Sequence, residues 1–235
     1  MKASLVRCFS RASKLILVLT LSLAIFAPAE LSAQPKPLPS KRNRSTRLVH
    51  KSAPARPFST VVIDAGHGGV DQGGSRQNIL SEKNVALDVA QRLEKFLRKA
   101  GLRTVMTRSD DRFVTLDRRV SIANAHHDAI FMSIHFNSAR WARARGVETF
   151  HFAPSEATLA HRIQRNLAAT TTGDDRGVKR ARFRVLRQTK IRAVLAECGF
   201  LTNPQDAALA RNARYRAKIA QQISRAIVED RNSLR

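Results

Sequence analysis

Short apolar runs rich in β-branched residues alternate in this chain with longer stretches whose apolar residues recur every three or four positions. Thr60–Ala65, Leu102–Thr107, Ala129–His135, Gly146–Ala153, Phe183–Arg187 and Arg192–Ala196 have the length and composition of strands. Ser81–Ala100 places Ala86, Val89, Ala90, Leu93, Phe96, Leu97 and Ala100 on one helical face, and Gly101 follows as a glycine stop. Thr115–His126, with Leu116, Val120 and Ala123 inward, Glu156–Ala169, a short segment from Asn203 and Ala213–Glu229 read as further helices. Strands separated by helices of this kind predict an α/β fold: a single domain with a mostly parallel sheet and helices on both faces. Ligands of such sheets bind beyond the carboxyl ends of the strands, and His67, His135 and Glu197 each stand where one of these strands runs out.

Hydrophobic residues make up 43% of 235 residues, which leaves room for one substantial core once the ends are set aside, not two. The segment 1–29 reads as a secretory signal. Lys2, Arg7, Arg11 and Lys14 precede the 13-residue apolar run LILVLTLSLAIFA, and small residues follow, favouring cleavage after Ala29, with Ala33 as the alternative. The run is shorter than the ~20 residues a membrane-spanning helix needs. Segment 30–59 is rich in proline and basic residues with little to bury and reads as a disordered, extended linker; the folded domain is expected over 60–235. With Cys8 in the signal, Cys198 is the one cysteine of the mature chain, so no intramolecular disulfide is expected, and a small buried thiol is its simplest role.

The chain carries 42 Lys+Arg against 18 Asp+Glu, a formal net charge of +24. Such a field steers polyanions toward it. For an exported protein, in the periplasm or cell wall, those are anionic envelope polymers, which the basic linker would meet. One Trp and one Tyr offer little to stack on bases, so charge alone argues poorly for nucleic acid.

Four polar residues carry the chemical signal. His67 lies in AGHGGVDQGG, where flanking glycines let backbone approach a ligand closely; a solvated loop histidine would look the same. Asp64 either accepts the spare imidazole proton of His67 or caps a turn. Glu82 opens the long helix, where the helix dipole favours a carboxylate with or without a metal. His135 leaves a fully apolar strand, with Asn137 just after it. Glu197 ends another apolar strand, where an ionised carboxylate is costly unless it is paired or functionally tuned. Two imidazoles and a carboxylate suit a zinc ion with one position open, and a second carboxylate beside them suits proton transfer.

Taken in order, the segments VVIDAGHGG, LSEKNVALDVAQRLEKFL, VMTRSDDRFVTLDRRVSIAN, FMSIHFNS, RGVETF, DRGVK, FRVLRQT and VLAECGFLTNPQD resemble the zinc-dependent N-acetylmuramoyl-L-alanine amidases of the third class, over about 150 residues from Val61 past Asp206. The resemblance implies an α/β sheet of about six strands. It implies Zn2+ as cofactor, held by His67, Glu82 and His135, with Glu197 as the catalytic glutamate and peptidoglycan as substrate. Arg176 would orient a substrate carboxylate or steady developing oxyanion charge, unless it simply pairs with Asp174 or Asp175; Glu148 either faces the site or merely alternates on its strand. Arg108 and Arg119 would tie loops together. Ala65, Phe136 and Cys198 depart from the usual pattern of proline, alanine and an aliphatic residue, and none removes a ligand or a proton-transfer group. The stretch from Thr149 to Asp175 is too short for the occluding helix that some of these enzymes carry. No activator protein is indicated.

Overall fold

The computed structural model describes residues 57–74 and 80–234. The expected signal segment and nearly all of the linker lie outside the described residues. At the described start, Phe58 is already packed into the core.

The strands are β1 (Thr60–Ala65), β2 (Arg103–Met106), β3 (Ala129–Asn137), β4 (Val147–His151), β5 (Asp175–Arg180) and β6 (Arg192–Phe200). They form one sheet in the order β2-β1-β3-β6-β4-β5. Four of the five strand pairs are parallel, and β4 against β6 is antiparallel. The helices are α1 (Glu82–Lys99), α2 (Leu116–Asn124), α3 (Ala157–Ala168), α4 (Arg184–Arg187), α5 (Pro204–Arg211) and α6 (Ala213–Asn232).

Side chains alternate between the two faces of a strand, and this period sorts the whole domain. Val61, Ile63 and Ala65 of β1, Ile130, Met132 and Ile134 of β3, and Val194, Ala196 and Cys198 of β6 join one core cluster under α1, α3 and α6. Val62, Phe131, Ala193 and Leu195 face the other way, against Val120 and Ala123 of α2 and Val185 and Leu186 of α4. At about 1.5–3 kcal/mol per buried aliphatic side chain, the first face with its three long helices holds the domain together. The second face has only short helices over it, so its carboxyl end stays accessible. Asp64, Ser133, His135 and Glu197 continue that second face by the same alternation.

Helix α1 ends as its sequence predicts. Ala100 caps it, Gly101 takes φ +76°, and the Leu102 amide donates to the Leu97 carbonyl at 3.0 Å. Helix α5 starts at Asn203, whose side chain accepts from the Gln205 and Asp206 amides.

One expected strand is a helix, and one strand was not expected. Phe183–Arg187 forms the single turn α4, because Val185 and Leu186 are both buried, a neighbouring pair that a strand would split between its faces. The sheet's remaining strand is β5, DRGVKR, which the sequence presents as a loop. An edge strand of charged, half-exposed residues shows no apolar signal, and charge of this kind also discourages pairing with another chain. Leu116, expected inward on α2, is 50% exposed. Between β4 and β5 only a 3-10 turn (Pro154–Glu156) and α3 intervene, and α3 packs on the face away from Glu197.

Candidate active site

Parallel register sets Ala65 beside Ile134 and His135 beside Glu197. The loop after β1 therefore emerges over the ends of β3 and β6. Gly66 has no Cβ because the His135 ring occupies that place; a Cβ there would lie 2.4 Å from the imidazole. His67 itself has a left-handed backbone, φ 58°, at a cost of about 1–3 kcal/mol that surrounding bonds must offset. Arg108 and Arg119 supply them. Arg108, 2% exposed, donates to the carbonyls of Ala65, Gly66 and Lys83, and Arg119, 3% exposed, donates to those of Ala65, His67 and Val114.

Asp64 does not reach the His67 imidazole. Its Oδ1 accepts from Thr107 and Arg119, and its Oδ2 from Ser133, each at 2.7 Å. Alternation points Asp64 to the side of α2, where Arg119 waits. Burial opposes its charge, but the Arg119 guanidinium and these hydrogen bonds hold the carboxyl below its usual range. The partner of His67 is Asp71, both of whose oxygens lie 2.9 Å from Nδ1. Four residues on in HGGVD, Asp71 was within reach of a turn and carried the only local signal for this role.

The other imidazole nitrogen, His67 Nε2, lies 3.0 Å from Glu82 Oε1, and His135 Nδ1 lies 2.9 Å from the same oxygen. The two rings are edge to face with centroids 4.8 Å apart. Glu82, 3% exposed, is fixed from behind: Oε1 accepts from the Phe136 amide and Oε2 from the Gly74 amide. Burial works against its charge, but the hydrogen bonds from His135 and His67 hold the carboxyl down at about 2. Burial likewise opposes charge on His135, and Glu82 outweighs it, raising the imidazole to about 9.

His67, Glu82 and His135 offer donor atoms that all lie within 4.8 Å of one another. Two ligands about 2.0–2.1 Å from one tetrahedral ion stand ~3.3 Å apart, so the two contacts to Glu82 Oε1, at 3.0 and 2.9 Å, are close to the spacing a shared cation requires. Nitrogen and carboxylate donors with no fourth protein ligand among the described residues leave a position open.

Glu197 borders the same cavity, about 370 Å³, with Leu116, Asn137, Phe183 and Arg184 on its walls. Its Oε2 is buried and has no hydrogen-bond partner among the described residues. Burial pushes its carboxyl up to about 7; the nearby His135 pulls the other way, and the charges of Glu82 and Glu148 push it further up. Glu148 faces the site, directly across from Glu197 on β4. It accepts from Asn137 Nδ2 at 2.7 Å and from Arg176 Nε at 3.0 Å, and it also pairs with Lys179. Arg176 thus pairs with Glu148 rather than with Asp174 or Asp175. Lys179, three residues after Arg176, had no distinguishing mark in the sequence.

Fold and cluster together define the class: an α/β domain with a candidate single-metal hydrolytic centre at the carboxyl edge of its sheet. Residues 61–229 match the family model Amidase_3, N-acetylmuramoyl-L-alanine amidase. The chain belongs to that family. It is 41% identical over 168 residues to the uncharacterised protein YqiI of Bacillus subtilis, covering 70% of this chain and 81% of the relative. It is 39% identical over 168 residues to the N-acetylmuramoyl-L-alanine amidase LytC of the same species, covering 70% of this chain but 34% of LytC, so it spans about a third of that relative. Among solved structures, the catalytic domain of the amidase CwlV from Bacillus (Paenibacillus) polymyxa var. colistinus superposes with TM-score 0.72 at 33% identity, covering 76% of this chain and all of that domain, 100%.

Proposed function

We propose that this chain is a zinc-dependent peptidoglycan hydrolase that cleaves the amide between the lactyl group of N-acetylmuramic acid and L-alanine of the stem peptide. The observation that carries the reading is the convergence of His67 Nε2, Glu82 Oε1 and His135 Nδ1 beside a carboxylate whose buried oxygen has no partner among the described residues, in a chain of the amidase family. His67, Glu82 and His135 would hold the ion. Bound zinc supplies Lewis acidity to the amide carbonyl and brings the pKa of water down toward ~7.

The chain's own groups do the rest. Glu197, raised to about 7, takes a proton from the attacking water and delivers it to the leaving nitrogen. One oxygen of water thereby joins the lactyl carbonyl carbon as the C–N bond breaks, and the amine leaves neutral. Asp71 orients His67 so that Nε2 points toward Glu82 and would be free to ligate a metal, and the Phe136 and Gly74 amides orient Glu82. Peptidoglycan places the work in the periplasm or cell wall, in keeping with the apolar, positively flanked start of the sequence, and a net charge of +24 suits an anionic envelope.

Zymography on purified peptidoglycan tests this. The wild type is expected to clear the gel, to lose clearing in excess chelator and to regain it with zinc, while Glu197→Ala stays inactive in zinc. Clearing that persists undiminished in chelator would overturn the zinc assignment. Released products without a free N-terminal L-alanine would overturn the choice of bond.

A further inference from the structure

The accessible face of the sheet does not end at Glu197. Across β4 it continues as a cationic wall to the edge strand β5. Glu148 is 4% exposed, and the same oxygen serves both Arg176, at 3.0 Å, and Lys179. One carboxylate cannot neutralise two cations, so the Glu148–Arg176–Lys179 cluster itself keeps an excess positive charge. Both cations are braced by aromatic rings: the Arg176 guanidinium lies 4.9 Å from the Phe200 centroid and the Lys179 ammonium 5.8 Å from that of Phe150. Both also remain open to solvent, with side chains 32% and 42% exposed. From Arg176 to Lys190 the sequence has seven cations and no acid, so the excess is regional.

Distance decides what could meet them. From β6 to β5 is two strand spacings, about 10 Å, and an extended peptide rises ~3.3 Å per residue. A peptide crossing from Glu197 toward β5 therefore brings its second or third residue to Arg176 and Lys179. We infer that Arg176 and Lys179 form a carboxylate-recognition subsite, so that the leaving peptide lies toward β5 and an acidic stem is preferred over one amidated at that position. The inference rests on the proposed amidase reading and adds a direction and a specificity to it. Glu148 is the positioning residue, holding the two cations in place until the substrate carboxylate joins them.

The test uses the zinc-loaded full-length chain and two soluble muramyl peptides that differ only at the second stem residue, one a free carboxylate and one its carboxamide. The wild type is expected to show a KM about ten-fold lower for the acid, as suits a charge-assisted contact open to solvent. Arg176→Met with Lys179→Met is expected to raise KM for the acid about ten-fold, with kcat within about two-fold and the amidated peptide unaffected. Lys99→Met with Arg225→Met removes two exposed cations elsewhere and is expected to leave the preference intact. Equal wild-type KM values for the two peptides would overturn the subsite without any variant being needed. So would a double variant that loses both substrates alike, the mark of a purely structural pairing with Glu148. Hydrolysis of neither peptide by the wild type would instead strike the amidase reading, and the subsite with it.

Discussion

Asp64 on β1 and Glu197 on β6 are carboxylates on the same face of one sheet, with β3 between them, and they are opposite in electrostatic circumstance. Asp64 has three donors, one of them the Arg119 guanidinium, is 1% exposed and is held below the usual carboxylate range. Glu197 has an oxygen with no partner among the described residues and is pushed up to about 7. The first is finished as structure: its charge locks Arg119, and Arg119 locks the loop that carries His67. The second is left incomplete, at a stability cost, where a cavity gives substrate access. A buried acid that is fully satisfied holds a fold together, and one that is not is available for chemistry.

The sharpest way to break this comparison is Glu197→Gln. Activity is expected to fall about 10²–10⁴-fold, the usual contribution of a proton-transfer group. The metal-free protein is expected to become more stable, by up to about 3 kcal/mol at pH 8. The sign follows from linkage: a folded-state pKa of about 7 against the ordinary 4.5 means that the native state holds an extra proton between those values. Wild-type stability therefore falls as pH rises through that window, and the glutamine variant should lack the fall. Urea melts at pH 5 and pH 8 measure it; parallel behaviour of the two proteins would place Glu197 with Asp64 as an ordinary structural acid.

Arg119→Ala is the reciprocal experiment. It strands the Asp64 charge and withdraws donors from the Ala65, His67 and Val114 carbonyls, with an expected loss of about 3–5 kcal/mol. Asp64→Asn in the same chain should recover part of that loss. A cost below about 1 kcal/mol in chemical denaturation would show that Asp64 is not held as described.

Metal binding should sense the proton on His135, whose imidazole stands at about 9 in the metal-free protein. Between pH 6.5 and 8.5, competition with a chromophoric chelator should give an apparent zinc affinity that drops about ten-fold for each pH unit lost per proton displaced. An affinity flat with pH would separate His135 from the ion.

The smallest effect belongs to Cys198, next to Glu197 in the chain and on the opposite face of β6. Its thiol is fully buried in the core, and burial pushes its pKa up. Cys198→Ala should cost about 1 kcal/mol or less and leave kcat unchanged, and the folded wild type should resist alkylation. A large loss of activity would mean that the two faces of the strand are less independent than the alternation implies.

Much of the fold was legible because burial writes periodicity into sequence. β1 and α1 were readable nearly to the residue, since one is a β-branched run buried on both faces and the other an amphipathic stripe ending in glycine. β5 was not, because an edge strand buries little and DRGVKR carries no apolar period. α4 was mistaken for a strand because a single helical turn is too short to display a helical period. At the site, His67, Glu82, His135 and Glu197 could be marked individually, each as a polar residue where an apolar element begins or ends. Lys179 and the partner of Arg176 could not, and Asp71 offered only its four-residue spacing from His67.

What the sequence determined alone is the layering of the domain and the residue types at its strand ends, since both follow from local pattern and from the cost of placing polar groups among apolar ones. Which acid serves which base was decided only by the tertiary structure. His67 and Glu82 are fifteen residues apart, and His135 is fifty-three beyond Glu82. Parallel register and a glycine too small to block the His135 ring bring them together, while strand alternation sends Asp64 to Arg119 and leaves Asp71 to hold His67. Hydrogen bonds and ion pairs act over a few ångströms of space, and separation along the chain says little about that distance until the sheet has formed.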